Sequence, residues 1–100
     1  MTIFATLIKF SSQEVTGMSH TRKALEESTK LAAELGIKPI NYYVTLGPFD
    51  LMLIYEAVDE KTAAMLALNI GLKWGGRPET WTLIPQDEFL KIPDKSRGLS

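Results

Sequence analysis

Few residues in this chain are equipped for chemistry. Among its 100 residues there is one histidine, His20, and no cysteine. A lone imidazole without a His, Asp or Glu cluster beside it lacks the ligand set of a metal site, so no metal is expected. His20 falls at the start of the first helix, where it reads as a surface residue or, alternatively, a ligand contact. The absence of cysteine excludes disulfides, thiolate metal sites and a thiol nucleophile. No base is expected within reach of the Ser11, Ser12 and Ser19 hydroxyls. Neither a Gly-rich phosphate loop nor a Ser-His-Asp order appears, and no cofactor is expected.

Two acids are better placed. Asp50 follows Gly47-Pro48-Phe49, a turn in which a carboxylate can accept backbone N–H bonds. A ligand or interface contact is its alternative role. Glu56 lies six residues further along the same strand. A buried Glu56 would have a raised pKa and act as a base, whereas at a strand end it is simply wet. The two lie roughly 20 Å apart along a strand, too far to share a substrate within one chain. Tyr42 and Tyr43 point to opposite faces of their strand, so one of them lines each face. Trp74 and Trp81 read as core or interface residues.

These residues sit in a chain of single-domain length. It is 45% hydrophobic and 23% charged, a globular composition. Eleven basic and twelve acidic residues leave a net charge of -1. That balance argues against nucleic acid as the main partner. The start, Met1 to Thr6, lacks the pattern of a signal peptide. The longest apolar run, Ala63 to Leu68, is far shorter than the ~20 residues that span a bilayer. A cytoplasmic location and no membrane partner are expected.

Hydrophobic periodicity predicts a strand at Thr2–Phe10 and a helix at Ser19–Leu35, with Ser19 capping the start and Gly36 just past the end. Strands follow at Ile40–Leu46 and Asp50–Ala57 around the turn. Asp59 caps a second helix, Glu60–Trp74, before a last strand at Glu79–Ile84 and a helical turn or two within Gln86–Ile92. One domain is expected over residues 1–92, with a mobile tail at 93–100. The order β-α-β-β-α-β is that of an α+β, ferredoxin-like fold, with a four-stranded antiparallel sheet and both helices on one face.

The uncovered face should be polar and is not. With Pro48 and Phe49 as the turn, Tyr42 pairs with Tyr55, Val44 with Leu53 and Leu46 with Leu51, all facing the helices. The other face then pairs Asn41 with Glu56, Tyr43 with Ile54 and Thr45 with Met52, joined by Phe4, Thr6 and Ile8 of the first strand. Such a mixed aromatic and aliphatic face calls for a cover. The second helix is apolar nearly all round, which asks for burial on more than one side.

Leu46-Gly47-Pro48-Phe49-Asp50-Leu51 resembles the Gly-X-Tyr-Asp turn of the GYD domain family, with Phe49 where the family has Tyr. The resemblance runs from about Phe4 to Phe89 and takes in Leu35-Gly36, Glu56-Ala57-x-Asp59-Glu60 and Asp87-Glu88-Phe89. Ser11 to Gly17 is longer than the family's Thr-x-x-Gly stretch. The turn is also similar to one in the effector domains of leucine-responsive regulators. The resemblance implies a dimeric α/β barrel, two sheets face to face, and no agreed activity. Two functions follow as expectations. One is a non-catalytic homodimer, or larger oligomer, that binds a small apolar or aromatic molecule or serves as an interaction module. The other, by fold analogy, is a cofactor-independent monooxygenase or isomerase. A ligand would lie between the open sheet face and the loop leading into the first helix, near His20, Tyr43, Thr45, Met52 and Trp81.

Overall fold

The computed structural model describes residues 1–10, 18–74 and 76–94. Along them run β1 (Thr2–Phe10), α1 (Met18–Glu34), β2 (Lys38–Val44), β3 (Leu51–Ala57), α2 (Glu60–Trp74), β4 (Gly76–Leu83) and α3 (Gln86–Leu90). The strands form one antiparallel sheet in the order β2-β3-β1-β4. This is the ferredoxin-like α+β arrangement. Residues 11–17, 75 and 95–100, and with them the expected end of the tail, lie outside the described residues.

Local chemistry explains the helix ends. Gly36 takes φ +72°, which a side chain disfavours, and so closes α1. Its N–H donates to Ala33 O, and the Ile37 N–H reaches back to Ala32 O, the paired bonds of a Schellman end. Ile37 is then buried beside Ala32. At the other end, Ser19 lies one residue inside α1 rather than at its cap, since the helix begins at Met18. Asp59 caps α2: its Oδ1 accepts from the Thr62 N–H at 2.8 Å and the Thr62 hydroxyl at 2.7 Å.

The core lies between the sheet and α1 and α2. Phe4, Ile8, Leu51, Leu53 and Tyr55 pack there against Ala24, Ala32, Ala63, Leu66 and Ile70. This placement corrects the expected first strand. Phe4 pairs with Tyr55, Thr6 with Leu53 and Ile8 with Leu51, so these residues face the helices. Ile3, Ala5 and Leu7 face the open side, opposite Glu56, Ile54 and Met52. Both faces of β1 are apolar enough to be buried, so alternation alone could not choose between them. Thr6 decides it: fully buried, its hydroxyl is 2.7 Å from the Tyr55 hydroxyl and 3.0 Å from Thr80 Oγ1. A buried hydroxyl goes where partners are.

The β2–β3 register also differs from the expected one. Tyr42 pairs with Leu53, Tyr43 with Met52, Val44 with Leu51 and Asn41 with Ile54. The loop is longer than a two-residue turn: Thr45 is set across from Asp50 rather than from Met52, in line with Val44 opposite Leu51. The Thr45 N–H donates to Asp50 O and its hydroxyl to Phe49 O. The slip is two residues, and side chains alternate with period two. Tyr42 therefore still faces the core and Tyr43 the open side. Nearer the start of β2 the register shifts between Pro39 and Asn41. Pro39, which lacks an N–H, is tolerated because β2 is an edge strand.

Candidate functional site

The open face is built from three rows of residues across the sheet. The first carries Tyr43, Met52, Leu7 and Glu79, and the second Asn41, Ile54, Ala5 and Trp81. The third carries Lys38, Glu56, Ile3 and Leu83. Leu7 and Ala5 are buried by their neighbours in the central strand, yet neither belongs to the core beneath the helices. Tyr43 and Trp81 are each 47% exposed, and no element among the described residues covers them. The result is a shallow trough. Aliphatic side chains lie along its two central strands, the small Ala5 among them, and an aromatic residue stands on each edge strand.

Of the expected site residues, Tyr43, Met52 and Trp81 share this face. Tyr43 and Trp81 stand on opposite edge strands, three strand spacings or ~14 Å apart, so they flank the trough rather than meet. Thr45 belongs to the turn and its hydroxyl is engaged there. His20 lies in the first turn of α1, and its side chain is outside the described residues. Glu79 was not foreseen on this face. It is brought there by pairing opposite Leu7, and its Oε1 accepts from Trp81 Nε1 at 3.2 Å. Its position two residues before Trp81 on a strand was the available signal. Lys9 and Arg77, also paired, continue the face as an exposed basic end.

The signature turn has a structural task. Asp50 Oδ2 accepts the Phe10 N–H at 2.8 Å, and the Asp50 N–H donates to Ile8 O at 2.8 Å. The carboxylate does accept a backbone N–H, but from the end of β1 rather than from within its own turn. Gly47 precedes it at φ +157°. Phe49 is half-buried, and the adjacent Leu46 is almost fully exposed.

On the helix side two tyrosines differ. Burial pushes the Tyr55 hydroxyl's pKa above its ordinary value, opposed by its bonds with Thr6 and Thr80. Burial also raises Tyr42, with Tyr55 nearby adding to it, and the Tyr42 hydroxyl is buried with no hydrogen-bond partner. A groove of about 610 Å³ runs between α1 and α2 on the far side from the trough. Leu31, Leu72 and Trp74 line it, and an ion pair of 3.2 Å joins Lys73 Nζ to Glu27 Oε2. It is open to solvent, and its polar groups do not converge on a point as those of a ligand site do. Among the described residues no group of three or more His, Cys, Asp or Glu is placed to hold a metal ion. No helix there is long and apolar enough to cross a membrane.

The sequence model of the GYD domain matches residues 4–92, nearly the whole described fold, with the Gly47–Asp50 turn at its expected place between β2 and β3. The chain belongs to the GYD family. No curated protein matches it. Among solved structures it is similar to an ACT domain protein from Streptococcus pneumoniae, with a TM-score of 0.55 and 11% identity. That likeness covers 93% of this chain and 97% of the other. At that identity it speaks for the fold alone, and for this GYD domain it agrees with the ferredoxin-like sheet.

Proposed function

We propose that this GYD protein is a homodimeric binding module without a catalytic centre. Two open sheet faces pack together and enclose a small, partly apolar or aromatic molecule. The observation that carries this reading is the uncovered trough of Tyr43, Met52, Ile54, Ala5, Leu7 and Trp81. Leaving such a face in water is costly, at about 25 cal/mol per Å² of apolar surface. A second copy offers the same shape and the same chemistry, as a two-fold interface requires. The small Ala5 at the floor leaves a gap between two faces that otherwise meet, and the rings of Tyr43 and Trp81 suit an apolar ligand. Asn41 and Glu79 supply orienting polar atoms.

The acids of this face support binding over catalysis. Glu79 is engaged by Trp81, and Glu56 lies at the rim rather than in the trough. Asp50 is occupied with the backbone of β1. A cysteine-free chain suits a reducing, cytoplasmic setting.

Native mass spectrometry of the protein purified from its own host tests the reading. The expected species carries two chains of 11.2 kDa and a small adduct released by organic solvent. Two chains without an adduct would remove the ligand from the account. A single chain would overturn it.

A further inference from the structure

α3 is a helix of five residues, and none of them is buried. Phe89 is 60% exposed and Leu90 71%, and Ile92, in the turn that follows, is 55% exposed. So short a helix is not stable in water by itself and needs something to pack against. The described residues of its own chain offer little. Ile84 and Pro85 connect it directly to the end of β4. Its Pro85 and Glu88 border a cleft of about 160 Å³ shared with Ile3, Glu56 and Leu83. Those three belong to the third row of the open face, so α3 stands at the rim of the trough.

The size of the open face supplies the second observation. Four strands at ~4.8 Å and seven rungs at ~3.4 Å give about 450 Å² of flat face per protomer. Two such faces bury on the order of 1,000 Å² in total, near the lower bound for a specific interface. An obligate homodimer buries about 2,000 Å² or more. The missing contact has to come from elements next to the sheet, and among the described residues α3 is an adjoining element with large apolar side chains to spare.

We infer that α3 is a clasp for the second copy: Phe89, Leu90 and Ile92 of each protomer close over the rim of its partner's sheet. The inference rests on the face-to-face dimer proposed above. The two arms, related by the two-fold axis, seal opposite ends of the trough. They complete the interface and shut the enclosed space from water.

Sedimentation equilibrium of the full chain and of the double variant Phe89→Ser, Leu90→Ser tests it, with hydrogen exchange of residues 86–92 in the wild type as a second readout. Neither residue is buried in the protomer, so the variant's circular dichroism at dilution should match the wild type. The expected result is a dimer dissociation constant raised roughly a hundredfold or more. Exchange of the α3 amides should slow as the wild-type concentration rises through its dissociation constant. An unchanged dissociation constant, or exchange independent of concentration, overturns the clasp while leaving the face-to-face dimer intact. A wild type that stays monomeric throughout overturns both.

Discussion

The carboxylate of Asp50 ties the β2–β3 turn to the last residue of β1. A charged acceptor removed from a backbone N–H costs about 1–3 kcal/mol. Asp50→Ala should therefore destabilise the fold by about that much in urea unfolding, with no change in the residues of the trough. The tyrosines beneath the helices make a contrasting pair. Tyr42→Phe deletes a buried hydroxyl that has no partner, so stability should hold or rise slightly. Tyr55→Phe removes a bond to Thr6 and should cost about 1 kcal/mol. Both phenols are raised above their ordinary value near pH 10. The unfolded chain then ionises first as pH rises. Stability is complete below about pH 10 and is lost as pH climbs through the higher folded values. In alkaline denaturation, Tyr42→Phe should lessen that loss. A fall in stability already complete below pH 9 would contradict the assignment.

At the scale of elements, the C-terminal end of α1 and the start of α2 were legible because single residues decide them. Gly36 at positive φ and Asp59 as a cap are local chemistry, and α2 runs over Glu60–Trp74 as its periodicity predicts. Gly36→Ala places a side chain in a left-handed backbone, and this should cost about 1–2 kcal/mol, read as a lower urea midpoint at unchanged slope. What is not local was harder to read. The face of β1 depends on where Thr6 finds hydroxyl partners 49 and 74 residues away. The β2 register depends on the length of the loop, which Thr45 closes by bonding to Asp50 O and Phe49 O. The candidate site was legible in part. Tyr43, Met52 and Trp81 reach one face, but the distance between the two rings follows from the strand order, which periodicity does not carry.

At the scale of the whole molecule, two apolar surfaces among the described residues remain uncovered. One is the trough with the neighbouring α3. The other is the outer side of α2, where Met65, Leu68 and Leu72 recur at helical spacing in the open. A dimer through the sheets leaves that second stripe exposed, so larger assemblies have a surface from which to grow. The central claim is that the trough is an interface. Its most direct test is the molar mass at sedimentation equilibrium, from sub-micromolar to about 100 µM, of the wild type beside Tyr43→Asp, Trp81→Asp. Both rings are half-exposed in the protomer, so the double change leaves the core under the helices untouched. The account predicts twice 11.2 kDa for the wild type at micromolar concentration and 11.2 kDa for the variant. A variant that keeps the wild type's dimer mass, or a wild type that stays at 11.2 kDa throughout, would contradict it.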